Sequence, residues 1–230
     1  MDRSSLTGIT AAAGMLILAS AAFAQMPGGR PGSGMGQSTL PPSDPQDMTS
    51  PASTEKSDVA AKKAFKAAMK SLNRAKELDA AGAREANSDK KAKAVDEYAQ
   101  ALDQFTEALS NKSDMVEAWS NVGYVHLRLG AFAEAVDDYN HALALKPDLY
   151  EATMYRGVAY LALDRLADAK TAYLELFDHA RSMADQLMGA MQKWLNDHKA
   201  DPRGMRPADI ASFEKWLLER DGIAKSPPGN

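Results

Sequence analysis

The sequence predicts an all-α fold, an α-solenoid of stacked antiparallel helix hairpins with about three repeats and C-terminal capping helices. The first observation is a recurrence of side-chain size every 34 residues. Tyr98, Phe132 and Leu166 open a helix in each of three copies; Ala101, Ala135 and Ala169 follow, then Phe105, Tyr139 and Tyr173, then Leu109, Leu143 and Phe177. Stacked hairpins require such columns, because each unit must meet its neighbour in the same way. The second observation is helical spacing of apolar residues outside the columns, as in Met183, Leu187, Met191, Trp194 and Leu195. The third is the absence of cysteine from all 230 residues, which leaves stability to packing.

From the N-terminus, residues 1–24 read as a secretion signal. Arg3 precedes an apolar run from Ile9 to Phe23, and Ala22-Phe23-Ala24 before Gln25 offers a small-x-small cleavage site. The run is shorter than the roughly 20 residues a spanning helix needs, so no transmembrane anchor is expected after cleavage. Without cysteine there is no thiol for a lipid anchor either. The expected location is the periplasm of a Gram-negative cell. Residues 25–54, rich in Pro, Gly and Ser, are expected to be a disordered tether. Residues 55–222 should form the helical domain and residues 223–230 a flexible tail.

The domain opens with a helix from about Asp58 to Ala81, where Ala61, Phe65, Ala68, Met69, Leu72, Ala75 and Leu78 share one face. A turn is expected at Gly82, whereas the 34-residue phase counted back from Gly130 would place it at position 96. The spacing therefore predicts an insertion of 14 residues, most simply a lengthened second helix capped near Asn87 or Ser88. The next unit, Val116 to Pro147, is the most regular. Its first helix carries Trp119, Val122, Gly123 and His126, its second carries Ala135, Tyr139 and Ala142, and Pro147 ends it. The third copy is looser, with Thr153 for the tryptophan, Leu176 for the last alanine and no proline near Arg181. A helical stripe continues to about His198, Pro202 and Gly204 break it, and Pro207 starts a last helix with Ile210, Phe213, Trp216 and Leu217 on one face.

The Val116 to Pro147 unit resembles the tetratricopeptide (TPR) repeat, whose pattern is W-x2-L-G-x2-Y, then A-x3-F, then P. Val122 and His126 are its mild departures. The resemblance implies a non-enzymatic protein-protein interaction scaffold whose first helices line a concave groove for a partner peptide or helix. Residue by residue, the groove positions are Glu117, Ser120, Asn121, Tyr124 and Leu127 from one hairpin, with Glu151, Met154, Tyr155 and Val158 from the next. Some TPR domains clamp a terminal carboxylate with basic residues; Asn121 fits such a clamp, but Glu151 and Tyr155 stand where it would need cations. The final helix either caps the solenoid or lays Phe213 and Trp216 into the groove.

The formal net charge of −4 hides a gradient, +5 over residues 55–93 and −9 over residues 94–178. The acidic middle disfavours nucleic acid, and the two segments together allow a self-assembling scaffold or homo-oligomer. The basic first hairpin could also face an anionic envelope surface. No catalytic motif is complete. Ser53-x2-Lys56 and Ser212-x2-Lys215 lack companion motifs, Glu134 and Asp138 are expected on a solvent face, and no phosphate loop or zinc signature is present. No cofactor is expected. The remaining alternative is a periplasmic small-ligand or soft-metal protein, with Met183, Met188, Met191 and Met205 as thioether ligands for copper.

Overall fold

A computed structural model describes residues 51–225. The proposed signal, most of the proposed tether and residues 226–230 lie outside the described residues. Among those described there are eight helices and no strand: α1 (Pro51–Arg84), α2 (Ser88–Asn111), α3 (Val116–Leu129), α4 (Phe132–Leu145), α5 (Tyr150–Ala162), α6 (Leu166–His179), α7 (Arg181–Ala200) and α8 (Pro207–Lys225). They pair in order as four hairpins, each stacked on the next. No described helix is long and apolar enough to cross a membrane.

The size columns become the core. Ala101, Ala135 and Ala169 are fully buried, as are Phe105 and Tyr139, with Tyr173 nearly so. Gly123 is required by one of these rings, since a Cβ there would sit 2.9 to 3.0 Å from Tyr139 ring atoms. Three of the hairpins turn in the same way. Ala86, Gly130 and Asp164 each take a left-handed conformation, with φ of 50°, 82° and 56°. The following N–H reaches back to the carbonyl five residues earlier: Asn87 to Gly82, Ala131 to His126, Arg165 to Tyr160. This pairing satisfies carbonyls that the helix end would otherwise leave bare.

Two expectations for the first hairpin need correction. The turn lies at Glu85 to Asn87, not at Gly82, which sits in the last turn of α1 because a Cβ there would come within 2.9 Å of Lys91. The insertion is therefore ten residues, matching the 24 residues of α2 against the 14 of α4. Its start is where the sequence indicated: Asn87 caps α2, its side chain accepting from the Lys90 N–H at 3.0 Å. Also, α1 begins at Pro51 rather than near Asp58; proline suits a first helical turn, where its missing N–H has no partner to lose.

At the other end α7 and α8 form a fourth hairpin. Phe213 is fully buried and meets Trp194 edge-on at 5.2 Å, while Trp216 meets Tyr173 at 5.5 Å. These partners belong to α7 and α6, so α8 closes the C-terminal end instead of entering the groove. Asp164 binds this end to the repeat before it. Its Oδ1 accepts from Trp194 Nε1 at 3.1 Å and lies 3.3 Å from Nε2 of the buried His198.

Candidate functional site

The first helices α1, α3 and α5 lie side by side, and the wall they form has an aromatic centre. Tyr124 of α3 and Tyr155 of α5 are half-buried and meet edge to face at 5.3 Å. Tyr98 of α2 lies 6.4 Å from Tyr124, and Tyr139 of α4 stacks on Tyr155 at 6.3 Å. The four rings come from four successive helices. Gly123 lets the Tyr139 ring close up against α3. Burial drives all three of Tyr98, Tyr139 and Tyr155 away from ionisation, Tyr155 to about 12. At neutral pH these phenols are uncharged.

Charges frame the rings. Lys76 of α1 places its ammonium 4.3 Å from the centroid of the Tyr124 ring. Burial lowers its pKa, the nearby Glu151 carboxylate working against that and the Arg128 guanidinium with it. Arg128 of α3 pairs with Asp79 of α1 and lies over the Tyr98 ring. A cation held over a ring face in this way is bound both electrostatically and by its apolar stem. The wall thus offers aromatic surface, two cations and the carboxylates of Glu151 and Asp79.

Of the residues expected in the groove, Tyr124 and Tyr155 are half-buried and in contact, Glu117 and Glu151 are exposed, and Ser120, Asn121 and Val158 are half-buried. Asn121 donates to the Glu117 carbonyl of its own helix at 2.7 Å. Leu127 and Met154 are corrections: at 4% and 7% exposed they belong to the core and support the wall from behind. Sequence reading missed Lys76, Asp79 and Arg128. The ten-residue insertion puts the first hairpin out of the 34-residue phase, and only contacts with α3 reveal that Lys76 and Asp79 reach the level of Tyr124 and Arg128.

Other candidate groups are absorbed by structure. Asp138, expected on a solvent face with Glu134, is 8% exposed and lies 2.5 Å from Nδ1 of His126. The hydrogen bond to Asp138 raises the His126 pKa, while burial pushes the Asp138 carboxyl up. His141 stacks on Trp119 at 4.5 Å, His179 on Tyr150 at 5.8 Å and His198 on Trp194 at 3.8 Å. Met188 and Met191 are buried in the C-terminal core, with Met183 and Met205 packed against it. Among the described residues no three His, Cys, Asp or Glu side chains gather as metal ligands.

Residues 116–149 match the family model of the tetratricopeptide repeat. The chain carries a TPR unit. Its span is the α3–α4 hairpin with the turn that follows, the unit that supplies Tyr124 and Arg128. Among solved structures the chain is similar to the Arabidopsis OM64 TPR domain, at 17% identity over 56% of this chain and 98% of that one, with a TM-score of 0.42. It is similar also to the first TPR of Spaghetti (RPAP3) bound to HSP90 peptide SRMEEVD, at 25% identity over 53% of this chain and 94% of that one, with a TM-score of 0.39. No curated protein matches the chain.

Proposed function

We propose that this chain is a non-enzymatic interaction scaffold of the cell envelope, in which the wall of α1, α3 and α5 takes a segment of a protein partner. The observation that supports it most directly is the Tyr124 and Tyr155 pair, two adjoining half-buried rings with charges on both sides. Tyrosine and arginine are enriched where protein partners anchor, because a large amphipathic side chain gives contact area at low entropic cost. The wall suits an apolar anchor residue flanked by polar groups, presented on an extended segment or a helix. A TPR unit at the centre of the wall agrees with such a role.

A photoreactive residue at Tyr124, compared in cells with one at the exposed Asp137 on α4, tests the wall. A protein adduct formed at position 124 and absent at 137 is the expected result. Equal labelling at both positions, or labelling at 137 alone, would overturn it. Envelope location is a separate part of the proposal and rests on the sequence of residues 1–24. N-terminal sequencing of protein recovered from cells should begin at Gln25, and a chain retaining Met1 would remove the exported reading while leaving the wall in place.

A further inference from the structure

The N-terminal end of the solenoid carries a charge pattern that the tyrosine wall does not use. On α1, Lys56, Lys63, Lys66, Lys70 and Arg74 are exposed and fall on one face, opposite the buried Ala61, Ala68, Leu72 and Ala75. No acidic residue lies between Val59 and Lys76. On α2, Asp89, Asp96, Asp103 and Glu107 are likewise exposed on one face, opposite Ala94, Ala101, Phe105 and Ala108. The two rows approach at an open groove between the helices, lined by Arg74 of the basic row, by Asp96 and Asp103 of the acidic row, and by Leu78, Lys93 and Gln100. A basic helix and an acidic helix therefore lie side by side on the same outer surface.

Their register is fixed by contacts across the hairpin. The Phe65 and Phe105 rings meet at 5.6 Å, the Ser71 hydroxyl reaches Gln100 and Gln104 at 3.3 and 3.2 Å, and Arg74 bridges Glu97 at 2.8 Å. Lys66 and Lys70 thus stand level with Asp103, and Lys63 with Glu107. Among the described residues, Arg74 is the one member of the basic row that takes part in an ion pair. Among the described residues Lys63, Lys66, Lys70, Asp96, Asp103 and Glu107 take part in no ion pair.

We propose that this end face is the interface of a homodimer, in which the basic row of each copy lies on the acidic row of the other. Two identical faces can close a symmetric pair about a two-fold axis lying in the interface. An axis across the helices would set α1 on α1 and α2 on α2, opposing like charges. An axis along the helices sets α1 of one copy on α2 of the other and preserves height, so level residues remain level: Lys66 and Lys70 meet Asp103 of the second copy, and Lys63 meets its Glu107. Charge selects the second arrangement. Two helices some 18 residues long present on the order of 500 Å² per copy from their rise and diameter, below the roughly 800 Å² of a standard interface. The dimer is accordingly weak and sensitive to salt.

Analytical ultracentrifugation of the full chain tests this. The expected result is a monomer–dimer equilibrium at about 0.05 M salt that moves to monomer at about 0.5 M, where the screening length falls to roughly 4 Å. K66E/K70E and D103K/E107K should each abolish the dimer without loss of helix by circular dichroism, and the four substitutions together should restore it. A monomer at low salt, a dimer indifferent to K66E/K70E, or a failure of the combined variant to restore it would overturn the proposal. So would a monomer that sediments with vesicles of anionic lipid and is released by K66E/K70E, which would assign the basic row to a bilayer surface. None of these variants touches the tyrosine wall, so labelling at position 124 reports on that site independently.

Discussion

At the residue scale, two glycines of α3 and its turn are needed for different reasons, and substitution separates them. Gly123 is needed for space: in Gly123→Ala the added carbon meets a fully buried ring that has no room to withdraw, at a cost of about 1 to 3 kcal/mol. Gly130 is needed for conformation: nothing surrounds its Cβ position, but its φ is 82°, and Gly130→Ala should cost about 1 to 2 kcal/mol. Asparagine tolerates the left-handed region, so Gly130→Asn should recover part of that loss, whereas Gly123→Asn should be worse than Gly123→Ala. Urea unfolding of the four variants checks the pattern. The pair of His126 and Asp138 gives a pH signature. Because the hydrogen bond to Asp138 raises the His126 pKa, its contribution is complete below about pH 6.5 and is lost as pH rises through the raised value. Stability should therefore fall between mildly acidic and alkaline pH, and Asp138→Asn should flatten that slope in parallel urea titrations. Gly123 was legible in the sequence because it stands where the W-x2-L-G-x2-Y pattern has its glycine. The Asp138 pairing was not, since helical spacing placed it beside Glu134 and gave no sign that His126 faces it across the hairpin.

At the element scale, the first hairpin departs from the repeat by a local device. The extension of α2 depends on a start signal at Asn87, whose side chain satisfies the Lys90 N–H. Asn87→Ala should cost about 1 kcal/mol and raise amide exchange in the first turn of α2, leaving α3 and α4 unchanged. Exchange rising equally along all of α2 would mean that the cap does not act locally. The cap was readable because Asn and Ser before a helical run carry a chemical reason to stop or start. The length of the insertion was misread for an equally physical reason. Gly82 looks like a turn residue, yet it is required by the close approach of Lys91, and the left-handed position went to Ala86, which carries no such mark. The same displacement hid Lys76 and Asp79, two of the three framing charges that the sequence did not reveal.

At the scale of the whole molecule, the core is not one body but three overlapping clusters in chain order. One joins α1 and α2 to α3, one joins α3 and α4 to α5, and one joins α5 and α6 to α7 and α8. Each hairpin thus depends chiefly on its neighbours, the condition under which stability becomes a sum of local and nearest-neighbour parts. Phe213 tests this, because it is fully buried at the far end and touches only the last cluster. Phe213→Ala should cost about 3 to 5 kcal/mol of local stability, enough to loosen α8, α7 and the facing sides of α5 and α6. Hydrogen exchange should then show protection falling steeply in residues 181–222, less in residues 150–179, and hardly at all in α1 to α3. Because Tyr124 is anchored from the N-terminal side by Tyr98 and Lys76, and Tyr155 is seated on the repeat that the α7–α8 hairpin covers, the same variant should uncouple the two rings. Labelling from position 124 would persist while the partner affinity contributed by Tyr155 declined. A uniform loss of protection along the chain would instead mean a single cooperative unit, in which the end hairpins and the tyrosine wall rise and fall together.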